Sequence, residues 1–325
     1  MKDTKSYILA IYEILKDFSD ENHYLSNPDI IRLLHQIYHI DVDYRTVINN
    51  IKSLIDFGVD IETYQTNRKG YYLIDRYLED SEIELLCHCI HSAHYIPEKA
   101  SKELIQKLSN LQSKYKRNQF LHQYYISNTK KTKNKELLWN IEIISNAIKK
   151  KRRISFEYLK YNEEKRLIKK RDLPYIVSPY FIVQENDNLY LLCQGIHHTN
   201  IAHYRIDKMR KITILKDNNT PLKENFDPYQ YVKNKKFMFS DEEVKVHLLC
   251  HEKMLDDVID QFGNDIMIQK DVHKDSYYHV ILTSSHQGII YFSIQYLSFC
   301  ELIEPKALRN EIYEKIKTEV IKYQK

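Results

Sequence analysis

Glycine is scarce. The 325-residue chain holds 5, and they form neither G-x-G-x-x-G nor G-x-x-x-x-G-K-[ST]. Loops that cradle dinucleotides or phosphates need such glycines for a tight turn and close backbone approach, so those two readings are excluded. G-x-S-x-G and H-E-x-x-H are missing as well, which removes two further common enzyme signatures. The 5 cysteines are an odd number and include no C-x-x-C. A disulfide framework is therefore not expected, and a reducing cytoplasm fits. Apolar runs such as Tyr180-Phe181-Ile182-Val183 are far too short to span a bilayer, so no membrane part is expected. Lys2 and Lys5 ahead of Ile8-Leu9-Ala10-Ile11 have the outline of a signal peptide, but Glu13, Lys16 and Asp17 follow at once without a small-residue cleavage site. What is plentiful is apolar and charged side chains, at 43% and 29%. That suffices for real cores, and roughly 100–200 residues per domain predicts two or three domains. The balance favours a binding protein over an enzyme, with no cofactor or metal called for.

Net charge is +4 but unevenly spread. Residues 1–75 carry 8 Lys/Arg against 12 Asp/Glu, and residues 107–172 carry 19 against 6. Lys149-Lys150-Lys151-Arg152-Arg153 is the densest run. It reads either as a solvated helix end or as an electrostatic footprint for a polyanion.

Helical spacing of Tyr7, Ile8, Ile11, Tyr12, Ile14 and Leu15 predicts a first helix over 5–18. Ser26 or Asn27, with Pro28 near the first position, starts a second with the stripe Ile30, Ile31, Leu33, Leu34 and Ile37. Asp43 caps a third, Tyr44 to about Phe57, with Val47, Ile51, Leu54 and Ile55 inward and Gly58 as its stop. Two β-like runs, Val59–Tyr64 and Tyr71–Ile74, flank Asn67-Arg68-Lys69-Gly70. Three helices and a basic-tipped hairpin make a winged helix-turn-helix pattern. The first turns of such a helix can present side chains to base edges in the major groove. Tyr44, Arg45, Thr46, Asn49, Asn50 and Ser53 lie outside the apolar stripe, and Arg68 and Lys69 would sit near phosphate or the minor groove. The alternative is a protein-interaction module, favoured by the acidic charge of residues 1–75.

Residues 80–125 read as helical with a break at Pro97, and 126–135 as a Lys-rich linker. Cys87, His91 and His94 share a helical face that a soft metal could use, but no second ligand cluster exists and a half-buried helix is the plainer reading. Another helix over 136–150 has Leu137, Leu138, Ile141, Ile144 and Ile148 inward and carries Trp139, the only tryptophan. Strand patterning follows: Ile154–Lys160, Leu173–Val177, Tyr180–Glu185, Leu189–Gln194, Ile201–Ile206 and Ile212–Leu215, with a tight hairpin at Asn186-Asp187-Asn188. This spacing suggests a small barrel or curled sheet. The last block reads β-α-β-β-α-β and then a closing helix, a ferredoxin-like order.

Val177-Ser178-Pro179-Tyr180, Leu189-Tyr190-Leu191 and His203-Tyr204-Arg205-Ile206-Asp207-Lys208-Met209 follow one another in the order of three motifs of the WYL domain. In that order the middle block resembles the WYL domain of bacterial transcriptional regulators. Leu189 stands where the family has Trp, and Lys208 where it has Arg. Asp43-Tyr44-Arg45-Thr46-Val47 is similar to the start of those regulators' recognition helix, and Ile303-Glu304-Pro305-Lys306-Ala307-Leu308-Arg309 to part of their C-terminal extension. The resemblance implies an Sm- or SH3-like β-barrel that senses nucleic acid or a nucleotide. Arg205 would offer a fork for phosphate and Tyr190 and Tyr158 stacking surfaces. Tyr190, Arg205 and Lys208 are the leading ligand contacts, with Tyr158, Ser178 and His203 behind them. The competing reading makes Tyr190 core and gives Arg205 a structural ion pair.

The expected organisation is α+β and multidomain: a winged helix-turn-helix over 1–78, a helical linker over 79–150, the WYL domain over 151–222 and its C-terminal extension over 240–325. The expected protein is a homodimeric regulator that binds double-stranded DNA and answers to a nucleotide or oligonucleotide effector. The other reading is a single-stranded nucleic-acid or nucleotide binder acting through the basic region.

Overall fold

The computed structural model describes residues 6–117, 131–185, 187–222, 226–235, 238–239 and 241–324. The expected helical stretch 118–125, linker residues 126–130 and Asn186 lie outside them. The chain forms two compact units, Met1–Lys133 and Asn134–Lys325. The division at Lys133 falls inside the stretch read as one linker, for reasons visible in the side chains on either side of it. Lys131 Nζ donates to the carbonyls of Ile90 and Ala93 and to Ser101 Oγ in the first unit. Asn134, by contrast, is bonded to Asp207 and Met209 in the second.

The first unit opens with helices α1 (Tyr7–Phe18), α2 (Asn27–Leu33) and α3 (Tyr44–Asp56). Ser26 caps α2 in a reciprocal capping box with Asp29, and Asp43 Oδ1 accepts from the Thr46 N–H at the start of α3. A π-helical turn, Leu34–Tyr38, extends α2 and ends at His39 in the left-handed region. Ile11, Ile14, Leu15, Ile30, Leu34, Val47, Ile51 and Leu54 form the core. Each such side chain contributes about 1.5–3 kcal/mol by leaving water. Ile55, expected inward, is exposed. The ribbon is shorter than the sequence suggests: β1 (Ile61–Glu62) pairs with β2 (Tyr72–Leu73), with a helical turn α4 (Tyr64–Asn67) between them. Asn67 Oδ1 accepts from the N–H groups of Lys69 and Gly70, which turns the chain locally and shortens the strands. Gly70 has φ +158°, and a Cβ there would lie 2.7 Å from the Leu25 carbonyl oxygen, so the Leu25–Tyr71 bridge requires glycine.

Helices α5 (Asp80–Ser92) and α6 (Glu98–Ser109) pack through Ile83, Cys87 and Ile105. They belong to the same unit as the three-helix core. Arg76 donates to the carbonyls of Lys16, Ser19 and Leu111, Arg117 pairs with Asp17, and Ser113 donates to the buried Asp20 carboxylate at 2.5 Å.

The second unit begins with α7 (Leu137–Lys149), which buries Leu137, Asn140, Ile144 and Ala147. Leu138 and Trp139, the latter 61% exposed, face away, so the inward stripe is rotated from the expected one. The strands are β3 (Arg152–Tyr161), β4 (Leu167–Lys169), β5 (Tyr175–Glu185), β6 (Asn188–Gly195), β7 (Ile201–Arg205) and β8 (Met209–Asn218). The pairing order is β4-β3-β5-β6-β7, and β8 also pairs with β3. Two runs read as separate strands form the single β5, kinked by a register shift between Pro179 and Phe181; β4 was not anticipated.

A helix α8 (Pro228–Asn234) leads to the last block. It comprises β9 (Glu243–His251), α9 (Leu255–Phe262), β10 (Met267–Lys270), β11 (Tyr277–Ser285), α10 (His286–Gln295), β12 (Cys300–Glu304) and α11 (Lys306–Val320). The β-α-β-β-α-β succession is the expected one. The strands lie in the order β10-β11-β9-β12, and Val246, Leu248, Val280, Leu282 and Phe292 fill the core beneath. Among the described residues no helix is long and apolar enough to cross a membrane.

Candidate nucleic-acid interface and ligand site

On α3, helical geometry places Val47, Ile51 and Leu54 in the core and leaves a polar face outward. Tyr44 is 55% exposed, and Arg45, Asn49 and Ser53 are exposed beside it. Tyr44, Arg45 and Asn49 have no side-chain hydrogen bond among the described residues, so their polar atoms are open to a partner. Thr46 and Asn50 are half-buried, and Asn50 Nδ2 donates back to the Thr46 carbonyl at 2.7 Å. Ser53 Oγ donates to the Asn49 carbonyl at 2.9 Å. Asn50 and Ser53 are thus spent partly within the helix. Arg68 and Lys69 are exposed at the ribbon tip. Arg68 sits in the left-handed region, and the Lys69 ammonium lies 5.1 Å from the centre of the Tyr24 ring.

The sheet residues are differently placed. Strand β7 ends at Arg205, and Ile206–Lys208 turns as a short 3-10 helix. That turn, not strand alternation, brings Asp207 back to Arg205. Arg205 Nε donates to Asp207 Oδ1 at 3.0 Å and Nη2 to Oδ2 at 2.8 Å, a bidentate pair. The competing ion-pair reading of Arg205 therefore describes this geometry, although 31% of the arginine side chain stays exposed. The Arg205 N–H donates to Tyr158 Oη, and burial pushes the Tyr158 phenol up to about 12. Tyr158 also packs edge-on against Tyr175 and Tyr204, so its ring belongs to an aromatic cluster with Phe156. Tyr190 is half-buried on β6, directly across from Arg205.

Two of the expected ligand residues already have partners within the fold. Ser178 is buried, and its hydroxyl accepts from the Thr220 N–H at 2.9 Å. His203 has both ring nitrogens in use, Nδ1 2.8 Å from the Met238 carbonyl and Nε2 2.8 Å from Tyr231 Oη. Burial holds the His203 pKa below the ordinary value, which keeps the ring neutral. The polar atoms of both side chains are thus engaged within the fold. Strand periodicity cannot reveal this, because connector residues far along the chain supply the partners.

The cationic character around Arg205 comes from Lys208 and from Lys170, which the sequence reading overlooked. Their ammonium groups lie 5.7 Å from the centre of the Tyr161 ring and 5.9 Å from that of Tyr158. Burial, then the neighbouring Arg205 charge, depresses the Lys208 pKa. A half-buried cation with lowered pKa beside a guanidinium gains from an incoming anion. Two asparagines also escaped notice. Asn134 Nδ2 donates to the carbonyls of Asp207 and Met209, and Asn140 Nδ2 to that of Met209, each at 2.9 Å. They fasten the turn carrying Asp207 and Lys208 to α7 and to the first residue of the unit. A separate cavity of about 600 Å³ opens beside the sheet, lined by Arg171, Tyr175, His197, His198 and Tyr204 among others; none of the six expected ligand residues lines it.

In the Lys149–Arg153 run, Arg152 donates to the Lys216 carbonyl and Arg153 to Thr220 Oγ1, while Lys149, Lys150 and Lys151 are exposed. Cys87 is buried and α5 stops at Ser92, short of His94. Among the described residues no group of three or more His, Cys, Asp or Glu is placed to hold a metal ion.

Among solved structures, the chain is similar to proteasome accessory factor B/C (PafBC) of Arthrobacter aurescens, with 13% identity, 99% of this chain and 49% of that one covered, and a TM-score of 0.27. It is also similar to a CRISPR Cas-related protein, with 18% identity, 99% and 85% coverage, and a TM-score of 0.38. The chain spans about half the length of the first of these. No curated protein matches it. The family model described as the WYL domain matches residues 140–214, a stretch that runs from within α7 to within β8 and includes Arg205, Asp207 and Lys208, so the chain carries a WYL domain there.

Proposed function

We propose that the protein is a ligand-responsive DNA-binding transcriptional regulator without enzymatic activity. The first three helices and the ribbon act as a winged helix-turn-helix, and the curled WYL sheet acts as an Sm-like sensor of nucleic acid or a nucleotide. The single observation that carries this reading is the outward polar face of α3, where Tyr44, Arg45 and Asn49 are exposed above a fully packed stripe. Arg reads guanine and Asn reads adenine in the major groove, and Arg68 and Lys69 supply flanking phosphate contacts. A homodimer would match two half-sites about 34 Å apart.

The response follows from the Arg205 pair. An anionic ligand competes with Asp207 for the guanidinium fork. Asp207 lies in the turn gripped by Asn134, so a displaced Asp207 is felt where the second unit begins. A ligand shifts DNA affinity only as far as its own affinities for the two arrangements differ. The test is selection of genomic fragments by the full-length protein, then mobility shifts with the selected duplexes. Retention of specific duplexes supports the reading. Selection of single strands alone, with duplexes ignored, overturns it in favour of a single-strand binder.

A further inference from the structure

The cavity of about 600 Å³ beside the WYL sheet differs from the Arg205 clasp, because its polar groups are largely uncommitted. The connection from β4 into β5 supplies Arg171 and Tyr175, the turn after β6 supplies His197 and His198, and β7 supplies Tyr204. Arg171 is exposed yet held in place. Its guanidinium lies 3.5 Å from the centre of the Tyr175 ring, which itself stacks on the buried Phe156. Nε donates to the Leu173 carbonyl at 3.0 Å and Nη2 to that of Pro174 at 3.1 Å. Two of the five guanidinium N–H groups are thus used and three remain. Among the described residues Arg171 has no carboxylate partner, whereas Asp207 occupies the fork of Arg205. The other donors are equally open. His197 and His198 are exposed and have no side-chain hydrogen bond among the described residues. A Cβ at residue 195 would lie 3.0 Å from His198 Cδ2, so Gly195 leaves the imidazole its place against the strand. The Tyr175 and Tyr204 hydroxyls likewise have no hydrogen-bond partner among the described residues, and both rings are only partly buried. Burial pushes the Tyr204 phenol up, with the nearby Arg171 charge acting against it, so the group stays a neutral O–H donor.

We propose that this cavity binds a small organic phosphomonoester, with Arg171 at the phosphate and an apolar wall at the organic part. Three facts select that chemistry. A guanidinium, two imidazoles and two phenols from three segments line one cavity, against a single carboxylate, Asp172, so the site is built to give hydrogen bonds to an anion. A phosphate has three terminal oxygens to accept from them and a carboxylate only two. The volume is that of a small-molecule site, and Leu173, Ile176 and Ile196 line it as exposed apolar side chains that an organic group would cover. The inference rests on neither the DNA-reading face of α3 nor the Arg205 clasp, so it stands or falls apart from them.

The test is calorimetric titration of the full-length protein with phenyl phosphate at moderate salt. One saturable site is expected, at least fivefold tighter than for inorganic phosphate and weakened at least tenfold by Arg171→Gln. The double variant His197→Ala, His198→Ala changes two exposed side chains without partners, so it should fold as the parent does and bind at least threefold more weakly. Lys253→Gln, an exposed lysine outside the cavity, should leave binding unchanged. Absence of saturable binding, parental binding by both cavity variants, or equal weakening by Lys253→Gln would each overturn the site. Inorganic phosphate or glucose 6-phosphate binding as tightly as phenyl phosphate would overturn the apolar wall and with it the proposed ligand class.

Discussion

Helix α3 and the WYL sheet both carry polar side chains expected to meet a partner, yet those side chains are employed differently. On α3, Tyr44, Arg45 and Asn49 stand free above a packed stripe. On the sheet, Arg205 is clasped by Asp207, His203 is bonded at both nitrogens, Ser178 is buried, and Tyr158 accepts from the backbone. A helix on a small core has one inward stripe, so the remainder of its surface is outside by geometry. A sheet backed by a helix and a connector has few open positions, and a polar residue there is more often satisfied internally. A free face suits a rigid reader of a large partner. A clasped arginine suits a switch, because a ligand must displace an existing partner.

Breaking the reader should give the largest effect. Arg45→Ala with Asn49→Ala should lower affinity for a selected duplex by about 2 kcal/mol or more, since each good base contact is worth ~1–3 kcal/mol. Mobility shifts at fixed salt measure it, and an unchanged affinity would remove α3 from the interface. Loosening the clasp comes next. Asn134→Ala leaves the Asp207 carbonyl without this donor, and about 1–3 kcal/mol of stability should be lost on urea unfolding of the second unit. The same variant should uncouple oligonucleotide binding from DNA affinity; retained coupling would show that the signal runs elsewhere.

A third contrast uses pH. Burial lowers the His203 pKa from 6.5, so the unfolded chain takes up a proton that the folded one resists. The stability from this residue is complete above pH 6.5 and is lost as pH falls below it toward the folded value. His203→Phe should flatten that slope in the second unit and leave the first unit's profile unchanged. The smallest effect is expected at Lys208→Arg, which keeps the charge and restores a planar fork. Melting should move by no more than about 0.5 kcal/mol equivalent, while binding of a short single-stranded oligonucleotide should tighten; weaker binding would place Lys208 off the ligand path.

Much of the chain was legible in advance. Caps at Ser26 and Asp43, the stop at Gly58 and the helical stripes located the first three helices, because those signals are local. Alternation found most WYL strands and the later β-α-β-β-α-β succession. Less legible were α7, where Trp139 faces out and Asn140 in, and the surroundings of Arg205, where Asp207 pairs with it and Asn134 holds the Asp207 carbonyl.

From the order of its residues alone, this protein's first three helices, most of its later strands and the outward face of α3 were determined, since each depends on neighbours a few positions away. Tertiary structure decided which polar groups remain available. The partners of His203, Arg205 and Asn134 come from connectors and turns up to 75 positions distant in sequence. A hydrogen bond is settled by where two groups meet in space, and spacing along a strand does not encode that meeting.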